Sequence, residues 1–213
     1  MANSIMLVRR PYATFENLSW LLGGASHKQS ALPRIFKRLY FFSPEFRERI
    51  MSDETPQHTK LNGIADYNAA LDMLCKLAQR NLYLFDKDFD GLGFNTEARY
   101  EILRGFLLSD PIHRLFVLTH DTRYLSTLCP RMIMLLHQFG SSMFIYQTPK
   151  NLQQITEPFA VADDSHYVRR FHFDDLRGIF AQHDPENARA LKSRFMEMWS
   201  ASHPGVSSAK LGL

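Results

Sequence analysis

Asp86, Asp88 and Asp90 stand at alternate positions, followed by Gly91 and then Glu97. That spacing is D-x-[DN]-x-[DN]-G-x5-E, the loop that wraps calcium in an EF-hand. The alternating carboxylates would give a hard cation its oxygens, Gly91 the sharp turn, and Glu97 a bidentate closure. Two further places could do chemistry. His120-Asp121 follows an apolar run, and Asp163 follows another. Together with Asp86 and Asp88 they would make a cluster of carboxylates and one imidazole, able to bind a divalent ion or to do acid–base work. His120, Asp121 and Asp163 are the candidate catalytic residues; Asp86, Asp88, Asp90 and Glu97 are the candidate metal ligands. Each has a plainer reading beside it. The acidic run can be a solvated turn with Asn95 capping the next helix, and His120-Asp121 a solvated loop and helix cap.

The elements that must position these residues are legible. Leu82 to Phe85 is apolar on consecutive residues, which predicts a strand buried on both faces rather than the helix that enters an EF-hand. The eighth and ninth loop positions are Gly93 and Phe94, where an EF-hand places a branched apolar residue and an oxygen donor. Upstream, Asp66 reads as an N-cap, and Tyr67, Ala70, Leu71, Leu74, Leu77 and Ala78 follow helical spacing. A second helix is expected from Thr96 to Leu108, stopped by Ser109-Asp110-Pro111. Arg114 to Thr119 is a second buried strand and opens into His120-Asp121. Asp121 can cap a short helix to Leu128, and Pro130 opens another to Phe139. Met143 to Gln147 is a third strand. Strand starts about 30 residues apart with a helix in each gap are the pattern of βαβ units. Phe159 to Ala162 and Tyr167 to Phe171 read as a hairpin, 172–183 as irregular, and Asp184-Pro185 as the cap and first turn of a last helix.

Charge is unevenly spread. Residues 1–60 hold nine Lys/Arg against five Asp/Glu, and residues 61–213 hold sixteen against seventeen. A net charge of +3 is too small to argue for nucleic acid. Residues 1–60 read as a basic, loosely ordered extension, with Met51 as an alternative biological start. Cys75 and Cys129 form neither a disulfide framework nor a zinc pattern, which points to buried thiols in a reducing cytoplasm. The longest apolar run, Met132 to Leu136, is far short of the ~18–20 residues of a membrane span. There is no glycine-rich phosphate loop and no serine nucleophile elbow.

The strand ending in Ala162-Asp163-Asp164, the hairpin after it, and a closing helix with Phe195 and Trp199 resemble the second half of a phospholipase D-like domain. The pieces LTHDTRYL, FAVADDSHYVRRF and FMEMWSAS carry the likeness, which covers about residues 63–213 and is nearest to a degenerate bacterial branch, sometimes fused to acetyltransferase-like domains. The resemblance implies H-x-K-x4-D, with a histidine nucleophile, a phosphate-holding lysine and an orienting aspartate. Aligning that aspartate with Asp163 puts Thr156 at the histidine position and Pro158 at the lysine position. Threonine offers no comparable nucleophile at neutral pH, and proline carries no charge.

The expected fold is α/β: a mixed, mainly parallel sheet of at least five strands, helices on both faces, a single phospholipase D-like half from residue 61 to 213. The expected function is a non-catalytic cytoplasmic module that binds through a relic phosphodiester groove, with no cofactor. The rivals are a metal-assisted phosphodiesterase using the Asp/His cluster and a calcium loop at 86–97. The partner, whether protein or small molecule, is open; nucleic acid is not indicated, and a homodimer follows only from the pairing of single-half members of the superfamily.

Overall fold

The apolar run at residues 82–85 becomes an inner strand of one eight-stranded sheet. The structure, a computed structural model, describes residues 55–206; of the extension expected over residues 1–60, residues 1–54, with the alternative start at Met51, lie outside these. The elements are β1 (Gln57–Leu61), α1 (Ile64–Leu77), β2 (Asn81–Asp86), α2 (Glu97–Ser109) and β3 (Arg114–Thr119), then α3 (Arg123–Thr127), α4 (Pro130–Gln138), β4 (Met143–Gln147) and a 3-10 turn (Lys150–Leu152). The chain closes with β5 (Phe159–Ala162), β6 (His166–Arg170), β7 (Gly178–Gln182), α5 (Pro185–Ser200) and β8 (His203–Val206). The strand order is β1-β7-β6-β5-β2-β3-β4-β8.

Alternation along the strands divides the core into two layers. Leu82, Leu84, Leu115, Val117, Met143 and Ile145 face α1, α2 and α4. Tyr83, Phe85, Leu118, Phe159, Val161 and Tyr167 face α5. The period-two reversal of side chains makes this inevitable once both faces are apolar. Leu82, Leu84 and Phe85 are at most 1 % exposed; each contributes on the order of 1.5–3 kcal/mol relative to an exposed side chain. The predicted stripe of α1 is buried at Tyr67, Ala70, Leu71 and Leu74.

The helix starts differ in detail from expectation. α1 begins at Ile64 behind Gly63, and Asp66 sits in its first turn, accepting from the Asn62 amide at 3.1 Å. Thr96, not Asn95, caps α2 by accepting from the Arg99 amide. Asp184 caps α5 with Pro185 at its first position, as the sequence predicts.

The sheet is mixed, but parallel pairing is confined to β2–β3 and β3–β4; the other five neighbouring pairs are antiparallel. The expectation of a mainly parallel sheet therefore holds only at the centre. Helical crossovers join β2, β3 and β4, whereas short turns join β5 to β6 and β6 to β7 and reverse the chain. Three strands escaped the sequence reading. In β1 four of five residues are exposed, so no apolar alternation marks it. β8 carries Pro204 and Gly205. β7 lies within 172–183, the stretch expected to be irregular. It starts at Gly178, where a Cβ would stand 2.4 Å from the Arg169 carbonyl oxygen, so close backbone approach explains the glycine.

Candidate functional site

The three parallel strands end side by side, and their C-terminal ends build the floor of a cleft. Lys87 follows β2, His120 follows β3, and Gln147 ends β4. The Lys87 carbonyl ties the first two ends together, accepting from the His120 amide at 3.0 Å and the Asp121 amide at 2.9 Å. The Thr119 hydroxyl adds a 2.6 Å bond to the same oxygen. With its backbone fixed in this way, Lys87 joins His120, Asp121, Thr122, Arg123, Gln147, Gln153, Thr156, His172, Phe173 and Asp174 around a cleft of about 700 Å³.

Two imidazoles line this cleft, and neither offers a nucleophilic lone pair. The His120 Nε2 lies 2.8 Å from the Ile155 carbonyl oxygen, which can only accept, so Nε2 carries the hydrogen. Its Nδ1 lies 2.5 Å from the Thr148 hydroxyl. Burial pushes the His120 pKa down, partly opposed by the Ile155 bond. The ring is therefore neutral, and its Nδ1 accepts from Thr148. His172 is held in the same tautomer: its Nδ1 accepts from the Asp174 amide at 3.1 Å, which leaves the hydrogen of the neutral ring on Nε2. That nitrogen is a donor, not a base.

Asp121 is in the cleft but is committed to Arg123. Its Oδ1 accepts from the Arg123 amide at 2.9 Å and its Oδ2 from Nε at 2.7 Å. Hydrogen bonds from the Arg123 side chain hold its carboxyl below the usual carboxylate range. Asp163 is not in the cleft. Its carboxylate accepts from the amides of Gln79, Arg80 and Asn81 at 2.8–2.9 Å, at the opposite end of β2. The six residues of β2 put roughly 17 Å between the two ends at ~3.3 Å per residue. His120 and Asp121 are brought together; Asp163 is not brought to them.

The acidic run disperses as well. Asp86 is 4 % exposed and paired with Arg170 at 2.8 Å. Asp88 accepts from the Asp90 amide. Glu97 pairs with Arg131. Phe89, Leu92 and Phe94 between them turn into the core. The loop is organised around Arg99, 2 % exposed, whose guanidinium donates to Asp72 at 2.6 Å, the Leu92 carbonyl at 2.5 Å and the Asn68 carbonyl at 2.8 Å. A fixed cation from α2 takes up a carbonyl of the very loop that the calcium motif would wrap around an ion. Among the described residues no group of three or more His, Cys, Asp or Glu is placed to hold a metal.

Thr156, the residue at the histidine position of the expected motif, does line the cleft. Pro158 and Asp163, of the same motif frame, are not among its lining residues. Lys87, Arg123, Gln147, Gln153, His172 and Phe173 were missed. A usable signal existed for two of them: ligands gather outside the carboxyl ends of parallel strands, and the rule applied at His120 applies equally at Lys87 and Gln147. His172 and Phe173 come from the β6–β7 loop, and nothing in the sequence says which way that loop folds.

Comparison with solved structures gives the fold its relatives. The chain is similar to Nuc from Salmonella typhimurium, a phospholipase D family member, with 9 % identity and a TM-score of 0.53 over 72 % of this chain and 100 % of Nuc. It is also similar to TrmBL2, an archaeal chromatin protein whose structure shows a novel mode of DNA binding, with 15 % identity and a TM-score of 0.52 over 82 % of this chain. This chain spans 63 % of TrmBL2. NucT from Helicobacter pylori aligns with 10 % identity and a TM-score of 0.48, over 70 % of this chain and 99 % of NucT. At these identities the likeness is one of fold, and the fold is phospholipase D-like. No curated protein matches the sequence. One family model matches residues 64–209, and the chain belongs to that family, described as "Domain of unknown function (DUF7931)".

Proposed function

We propose that this chain is a non-catalytic binding or regulatory module that holds a small ligand carrying a phosphodiester-type anion in the cleft at the ends of β2, β3 and β4. The observation that carries this reading is the state of the two imidazoles: His120 spends both nitrogens on Thr148 and Ile155, and His172 spends Nδ1 on the Asp174 amide. With Thr156 and Pro158 at the motif positions, a phosphoryl group in the cleft meets donors but no attacking atom. Donors are plentiful. Arg123 is compensated by Asp121, while Lys87, which also lines the cleft, makes no salt bridge among the described residues. Thr122, Gln153 and Thr156, each with a side-chain donor, also line the cleft.

A small ligand fits better than a nucleic-acid backbone. TrmBL2 binds DNA, but residues 61–213 of this chain hold sixteen Lys/Arg against seventeen Asp/Glu, which is not the basic stripe that tracks phosphates. The free buried thiols of Cys75 and Cys129 suit a reducing, cytoplasmic setting.

The test is to incubate the full chain with bis(4-nitrophenyl) phosphate, with and without EDTA, and to follow both binding by calorimetry and nitrophenolate release. Saturable binding that weakens in Lys87→Ala, with no release in either arm, is the expected result. Release that scales with protein concentration overturns the non-catalytic reading, and loss of that release with EDTA assigns it to a metal. Absence of saturable binding overturns the ligand.

A further inference from the structure

The β6–β7 loop that forms one wall of the cleft is anchored at Phe173 and clipped at Asp175 and Arg177, with exposed side chains on either side of Phe173. Phe173 anchors it: its amide donates to the Thr156 carbonyl at 2.9 Å, its carbonyl accepts from Arg170 at 3.1 Å, and its ring packs edge-on against His120 and tilted against Phe85. Asp175 and Arg177 clip the far side, with the Arg177 amide and guanidinium both donating to the Asp175 carboxylate. His172 and Asp174 flank the Phe173 anchor on either side, 46 % and 87 % exposed at their side chains, so water reaches both.

The His172 Nδ1 has two partners within reach, and they require opposite protonation states. The Asp174 amide, at 3.1 Å, donates to Nδ1 and needs its lone pair. The Asp174 carboxylate oxygen Oδ2, at 3.5 Å, can only accept and needs a hydrogen on Nδ1. A proton on Nδ1 sets two N–H groups against each other and makes the carboxylate the better partner. Histidine is the side chain that changes charge between about pH 5 and 8.

The other charged groups around the cleft make this proton count. Lys87 comes from the end of β2, and Asp121 and Arg123 from the end of β3. With Asp174 they are two cations and two carboxylates, so the cleft is balanced while His172 is neutral. Asp86 and Arg170 beneath the loop cancel each other, and His120 is held neutral by burial.

We propose that His172 and Asp174 form a two-state turn at the mouth of the cleft, in which protonation moves the imidazole from the Asp174 backbone to the Asp174 carboxylate and presents a positive charge to an anion bound there. The turn follows from the geometry alone; its effect on ligand rests on the binding function proposed above. A diester is the right probe, because its own charge is constant across this pH range and any change comes from the protein. The imidazolium replaces a neutral donor by a charged one, which roughly doubles the strength of such a bond, and the affinity for the diester is expected to rise about tenfold from pH 7.5 to 5.5.

The experiment follows the full chain by NMR through a pH titration, without ligand and then with bis(4-nitrophenyl) phosphate. The Asp174 amide resonance should move in step with the His172 ring, and the diester should bind more tightly at pH 5.5. In His172→Asn, whose side-chain oxygen can still accept from the Asp174 amide, both dependences should flatten. An Asp174 amide that ignores the His172 titration overturns the switch, as does a pH-dependent affinity that survives in His172→Asn. An amide that follows the ring while the diester fails to bind leaves the switch standing and sinks the ligand instead.

Discussion

Asp86 and Arg170 bridge the strand that lies between them. Phe85 stands opposite Phe159 on one side of β5, and Arg169 opposite the same Phe159 on the other. One residue further along, the register therefore sets Pro158 between Asp86 and Arg170, and the Arg170 amide donates to the Pro158 carbonyl at 3.0 Å. Their side chains meet at 2.8 Å, each 6 % exposed, with the Arg170 guanidinium 4.8 Å from the Tyr67 ring centre. Where the resemblance expects a lysine for phosphate, this chain has a proline flanked by a closed ion pair.

That pair should behave as a buried one. Asp86→Ala strands the Arg170 charge and should cost about 3–5 kcal/mol in urea unfolding at pH 7. The double variant Asp86→Leu with Arg170→Met should cost clearly less than the two single changes together, because it leaves no unpaired charge. Additive costs would show that the two residues do not act as a pair.

Asp163→Ala removes the acceptor shared by three backbone amides at the α1–β2 junction. The expected loss is about 1–3 kcal/mol, since water can replace part of these bonds. Asp163→Asn should cost less: it retains an acceptor oxygen and suits the positive φ of 56° found there. Diester binding in the cleft should be unchanged in both. A stable Asp163→Ala protein with lost binding would contradict the separation of the two ends of β2.

The acidic loop should answer to Arg99 and not to calcium. Arg99→Met leaves the Leu92 and Asn68 carbonyls without their donor and should cost about 2–4 kcal/mol. Millimolar calcium should leave the melting temperature unchanged, because a ligand that binds only the folded state must raise it. A calcium-dependent rise would return the loop to the metal reading.

His120 makes stability depend on pH with a definite sign. Burial lowers its folded-state pKa, so between that value and the unfolded one near 6.5 the unfolded chain binds more protons. Stability then rises with pH through this window; the contribution is complete above about pH 6.5 and is lost as pH falls through the folded value. Urea unfolding between pH 7.5 and 5.5 should show a steeper fall in the wild type than in His120→Gln. Equal slopes would mean that the ring is not held neutral.

What the sequence determined by itself was whatever depends on local order. The runs at 82–85, 114–119, 143–147 and 159–162 are strands, short apolar stretches bounded by turn signals, and Asp184-Pro185 starts a helix through its own cap chemistry. Thr156 and Pro158, where the resemblance expects a histidine and a lysine, are likewise read from the sequence alone. Only the tertiary structure decided which residues meet. Asp163 and His120 both follow apolar strands and look equivalent in sequence, yet β5 runs antiparallel to β2, so the residue after β5 lands at the end opposite the cleft. Asp86 and Glu97 share a motif but find Arg170 and Arg131, 84 and 34 residues away. A long-range ion pair leaves no trace in local spacing, and the direction of a strand in a mixed sheet is set by how the whole chain closes.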